Sequence, residues 1–102
     1  MKARYEPRID LANRTKLEEV IPLSTPFIVF ADPSDACNFK CGFCPTSDRG
    51  LMRSVERPWK QMQFETFKKI ADDLTLFPDK VKVLRLYKDG EPFLNKNLAE
   101  MI

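Results

Sequence analysis

Phe27-Ile28-Val29-Phe30 follows Pro26 directly and runs on through a polar stretch into Cys37. An apolar, partly β-branched run of this length, opened by proline, suits a strand buried on both faces, as strands of a parallel sheet are. Val81-Lys82-Val83-Leu84-Arg85-Leu86-Tyr87 reads as a second strand, bounded by Asp89-Gly90. Between the two, from Phe64 onward, Phe67, Ile70, Ala71 and Leu74 recur at three- and four-residue steps. Lys68, Lys69, Asp72 and Asp73 fill the intervals, which is the pattern of a helix with one apolar face, ended near Pro78. The connection is long enough for a parallel crossover, which is right-handed in such folds. The order of strand, polar loop, helix, strand, loop and helix start is therefore α/β. In α/β sheets and barrels the functional groups sit on loops after the carboxyl ends of strands.

Outward from this unit the signals thin. Residues 1–25 are polar and irregular, and Lys2, Arg4 and Arg8 read as a solvated arm. Thr15-Lys16-Leu17-Glu18 has the spacing of a capping box and predicts a short helix to about Val20, halted near Pro22. Asn97-Leu98-Ala99-Glu100 has the spacing of another helix start. At 102 residues and 43% hydrophobic content the chain can hold one core or part of one. Seventeen Lys and Arg against fifteen Asp and Glu leave +2, scattered along the chain, which argues for neither a nucleic-acid nor a membrane partner. No apolar run approaches the ~20 residues of a membrane span, and the first residues lack a signal-peptide core, so a cytoplasmic protein is expected.

The chemistry concentrates in Cys37-Asn38-Phe39-Lys40-Cys41-Gly42-Phe43-Cys44. Three thiols, an odd number in a chain without a secretory signal, do not make a disulfide framework. Their spacing lets one loop wrap a single inorganic centre, and soft thiolates favour an iron–sulfur cluster or zinc. Histidine is absent, which removes the commonest nitrogen ligand and general base. Buried packing suits the polar company of Asn38, Lys40, Gly42 and Asp48 poorly. Cys41-Gly42-Phe43-Cys44 alone is similar to a dithiol redox motif, though Cys37 and the position after a strand argue against one. Zinc needs a fourth ligand, for which Asp35 or Asp48 stands near, and would make the chain a small zinc-binding interaction module.

The spacing of Cys37, Cys41 and Cys44 resembles the defining motif of the radical S-adenosylmethionine (radical SAM) superfamily, and Phe43 before the last cysteine adds to the match. The resemblance implies that the three thiolates hold a 4Fe–4S cluster whose unique iron chelates S-adenosylmethionine, with Phe43 against the adenine. Lys88-Asp89-Gly90-Glu91-Pro92, directly after the second strand, is similar to the family's Gly-Gly-Glu-Pro loop, which holds the amino group of the methionine moiety. It departs at Asp89, where the first glycine often stands, and it keeps Gly90 and Glu91. Taken alone, Asp89-Gly90 is an ordinary turn. Arg85 and Tyr87 share one strand face but carry no assigned role.

Cys44-Pro45, the segment from Met62 to Leu74 and that from Leu94 to Ile102 are also similar to members with a C-terminal SPASM domain. The resemblance covers roughly Phe27 to Ile102. It implies an oxidoreductase-type enzyme that reductively cleaves S-adenosylmethionine to a 5′-deoxyadenosyl radical for hydrogen abstraction from an unidentified substrate, with peptide or protein the leading expectation. An external one-electron donor such as a flavodoxin or ferredoxin is implied as partner. The expected fold is the N-terminal fragment of a partial (β/α)6 TIM-like barrel, with residues 1–25 as an arm and 26–102 as a core portion cut off in its second helix. A chain so truncated is expected to be inactive alone and to self-associate, because two strands leave unpaired edges.

Overall fold

Ile28–Phe30 (β1) and Val83–Arg85 (β2) pair in parallel, with Ile28 opposite Val83, Val29 opposite Leu84 and Phe30 opposite Arg85. The pairing extends one step at each end: Phe27 O accepts from the Lys82 and Val83 N–H groups, and Ala31 N–H donates to Arg85 O. The computed structural model describes residues 12–57 and 59–102, so the basic arm at Lys2, Arg4 and Arg8 lies outside the described residues. Between the strands come Arg49–Ser54 (α1) and Phe64–Leu74 (α2), and Leu98–Met101 (α3) follows β2.

The parallel strands and α2 stand where periodicity places them. On α2 Phe67 is buried and Ile70, Ala71 and Leu74 are half-buried. The opposite side carries Lys68 beside Glu65 and Lys69 beside Asp73, pairs one helical turn apart. Phe67 joins Ala31, Met52, Leu98 and Met101 in a small apolar core.

Three expectations need correction. The first is the barrel fragment: among the described residues there are two parallel three-residue strands and three short helices, a small α/β unit in which no barrel fragment is evident. A Cα radius of gyration of 16.7 Å, against about 13 Å for a compact chain of this length, also reports a thin core. Secondly, the strands are not buried on both faces, since Ile28, Phe30 and Val83 are 43%, 49% and 41% exposed. Tyr87 meets Phe30 edge-on at 6.2 Å, and the Arg85 guanidinium lies 5.4 Å from the Phe30 ring, so one strand face is only partly covered.

The third correction is the helix at Thr15, which is a single 3-10 turn over Leu17–Glu19 with Lys16 at its cap and no side-chain capping bond. The Thr15 hydroxyl instead accepts from Lys82 Nζ at 2.8 Å. The helix start expected at Asn97 is present: α3 begins at Leu98, and the Glu100 N–H bonds the Asn97 carbonyl without a side-chain cap.

Two features absent from the sequence reading set the shape around the cysteines. Helix α1 is N-capped by Asp48, whose Oδ1 accepts from Leu51 N–H at 3.0 Å. It ends in a left-handed turn at Glu56 (φ 51°), where the Glu56 N–H bonds Arg53 O and the Arg57 N–H bonds Met52 O. This is the Schellman closure, with glutamate where glycine is usual. The chain then returns along the segment after β1: Ser34 and Gln61 form an antiparallel bridge, Met62 N–H donates to Pro33 O, and Asp35 N–H donates to Lys60 O. Buried Asn95 locks this layer, donating to Pro33 O at 2.7 Å and Met62 O at 2.9 Å while its Oδ1 accepts from Asn97 N–H.

Candidate functional site

Because β1 and β2 are parallel and adjacent, the segments leaving their carboxyl ends emerge side by side, and the structure joins them by named bonds. Asp32 Oδ2 accepts from both the Asp89 and Gly90 N–H groups, at 2.8 and 3.1 Å. Glu91 N–H donates to Ala36 O at 2.8 Å. Thr46, just past the last cysteine, donates its hydroxyl to Asp89 O at 3.3 Å. Arg57 closes the arrangement from α1's end, its two terminal nitrogens bonding Asp35 at 2.9 Å and Asp89 at 3.2 Å. The guanidinium is held above its ordinary range, chiefly by the hydrogen bond to Asp35, with burial opposing and Asp89 adding to it.

Gly90 shows how close this approach is. A Cβ built there would stand 1.4 Å from Ser34 O, so the backbone contact has room for glycine alone. The constraint is space, since the φ of Gly90 is not positive. Asp32 Oδ1 is buried without a hydrogen-bond partner, the cost of using the other oxygen as a double acceptor between the loops.

The cysteine loop is held at its end and open at its middle. Cys44 N–H donates to Cys41 O, and the Ser47 hydroxyl reaches the carbonyls of Cys41 and Cys44 at 2.9 and 2.7 Å. Cys44 Sγ lies 3.0 Å from Thr46 Oγ1. Thr46 thus stands between the Cys44 sulfur and the Asp89 carbonyl. All three cysteines are free, Cys37 and Cys44 half-buried and Cys41 exposed.

Among the described residues no three His, Cys, Asp or Glu side chains converge as a ligand group for a metal ion. Cys37, Cys41 and Cys44 are three free thiols on one loop, and as thiolates they would be soft ligands of the kind that iron–sulfur clusters and zinc take. The zinc alternative finds its fourth ligands already engaged, Asp35 by Arg57 and Asp48 as the cap of α1.

Of the other site residues expected from sequence, Asp89, Gly90 and Glu91 are brought to the cysteine loop. Phe43 is not packed there: its side chain is 92% exposed. Glu91 is half-buried, and its Oε1 accepts from Phe93 N–H at 3.1 Å, capping the 3-10 turn Pro92–Leu94. Asp89 has its N–H, carbonyl and carboxylate all committed within the protein.

Asp32, Thr46 and Arg57 went unread in the sequence. Thr46 alone had a local signal, lying in the Pro45-Thr46-Ser47 turn after the cysteines.

Comparison with family models, curated proteins and solved structures finds no match to this chain. Among the described residues no helix is long and apolar enough to cross a membrane.

Proposed function

We propose that this chain is the cluster-binding part of a radical SAM enzyme. The observation that supports the reading best is the junction of its two motif loops: the cysteine loop and Asp89-Gly90-Glu91 leave neighbouring parallel strands and are bonded through Thr46, Ala36 and Asp32. In this reading Cys37, Cys41 and Cys44 hold a 4Fe–4S cluster, leaving one iron without a protein ligand. That iron would hold S-adenosylmethionine through its amino and carboxylate groups. Glu91 would accept a hydrogen bond from the bound amino group, which requires its carboxylate to share or give up the Phe93 amide. Phe43, free in solvent, is available to close on the adenine. When bound, the cluster supplies one electron for carbon–sulfur cleavage of the cofactor, giving the 5′-deoxyadenosyl radical; a flavodoxin or ferredoxin would supply that electron, and the substrate class proposed is peptide or protein.

Anaerobic reconstitution tests the ligand set: about four iron and four sulfide per chain are expected, with a broad visible shoulder, and each single Cys→Ala variant should fail to retain them. Stoichiometric zinc retained after dialysis would point to the interaction module instead. A variant that kept full iron would refute the ligand assignment. Glu91→Gln should leave the cluster spectrum unchanged while weakening S-adenosylmethionine binding by about tenfold, because a charge-assisted hydrogen bond becomes a neutral one. Unchanged affinity would leave Glu91 as the cap of its turn.

A further inference from the structure

Beside the loop junction is a cavity of about 230 Å³ lined by Arg49, Met52, Arg53, Arg57 and Trp59. Its construction follows from α1. Residues 49, 52 and 53 are three and four apart and share one helix face. Met52 is buried at the base of that face, and the exposed Arg49 and Arg53 flank it. The left-handed Glu56 turn reverses the chain and returns Arg57 and Trp59 against the same face. The Arg49 guanidinium sits 5.0 Å from the centre of the Trp59 ring, which holds it over the cavity rather than loose in solvent.

The charges are unevenly matched. Arg57 is satisfied by Asp35 and Asp89. Arg49 and Arg53 have no ion-pair partner among the described residues, so two guanidinium groups line one cavity without a counter-charge from those residues. Both side chains are exposed, so water screens their repulsion, and an oxyanion seated between them over the apolar floor of methionine and tryptophan would gain charge-assisted hydrogen bonds. The volume lies below the ~300–1,000 Å³ of pockets for drug-sized ligands, which limits the occupant to about one ring and its acidic group.

We propose that this cavity binds a small organic oxyanion, a carboxylate or phosphate monoester carried on a planar apolar body. The oxyanion pairs with the forks of Arg49 and Arg53, and the body rests on Met52 and Trp59. The site is independent of the cysteines, and it lies next to the Arg57 bridge between the two loops.

Trp59 is the chain's single tryptophan, so its fluorescence reports this cavity directly. The full chain is titrated with benzoate, phenyl phosphate, inorganic phosphate and uncharged benzamide at constant ionic strength. Benzoate or phenyl phosphate should produce a saturable change, with affinity reduced about tenfold or more in Arg53→Gln and in Arg49→Gln, while Arg53→Lys loses less. Whichever of the two probes binds more tightly identifies carboxylate or phosphate as the preferred group. Circular dichroism of Arg53→Gln should match the parent, since the side chain is exposed and fills no core space. A titration unaffected by both Gln substitutions would overturn the proposal. So would benzamide binding as well as benzoate, or inorganic phosphate binding as well as phenyl phosphate, because the charge or the apolar body would then be irrelevant.

Discussion

The two loops that leave the parallel strands are built in opposite ways. In the loop after β2 the amides of Asp89, Gly90 and Glu91 are all bonded to the segment after β1, and Gly90 lies against Ser34 O with no space for a side chain. In the loop after β1, Phe39, Cys41 and Phe43 are exposed, and Gly42 has nothing within 4 Å of an added Cβ. One loop is a preformed frame whose geometry belongs to the protein. The other carries Cys37, Cys41 and Cys44 along a stretch whose middle is exposed and whose geometry the rest of the protein fixes much less.

The strongest way to break this contrast is to add the same methyl group to each loop. Gly90→Ala forces the Ser34 backbone away and should cost about 3 kcal/mol or more, or abolish the cooperative transition; Gly42→Ala should stay within about 0.5 kcal/mol. Chemical denaturation of the two variants decides it, and similar costs would show that the loops are equally constrained.

A smaller effect is expected where the frame is fastened electrostatically. Arg57→Ala removes both carboxylate contacts, but the pairs are about one-third exposed, so solvent screening reduces the expected loss to about 1 kcal/mol. The parent's stability should also fall with added salt more than the variant's does, as measured by urea unfolding at two ionic strengths. The smallest effect has the opposite sign. Glu56→Gly relieves a left-handed backbone that glycine adopts freely and should stabilise the chain by about 0.5–1 kcal/mol. A destabilised Glu56→Gly protein would mean that the glutamate side chain holds the turn.

How much was legible varies with the range of the interaction. Helix α2 declares itself because its apolar residues repeat with the helical period, and its observed bounds, Phe64–Leu74, contain that pattern. Helix α1 has six residues and no such repeat; it exists through the Asp48 cap and the Glu56 closure, which periodicity does not register. The barrel expectation failed because two β-rich runs establish strand type and direction, whereas curvature and closure depend on further neighbours and on burial.

The candidate site divides along the same line. Local order alone put Cys37, Cys41 and Cys44 on one loop and Asp89-Gly90-Glu91 after a second strand, since adjacency along the chain costs no loop closure. The partners that make those two loops one structure are far apart in sequence: Asp32 and Asp89 by 57 positions, Thr46 and Asp89 by 43, Arg57 and Asp89 by 32. Each is a common polar residue with many possible partners, and only the parallel register of β1 and β2 selects the one it has. The sequence by itself therefore determined which chemical groups are present and the pattern of strand, loop and helix. The tertiary structure decided which groups meet, because a hydrogen bond across tens of residues forms only after the backbone has paid the entropy of bringing its ends together.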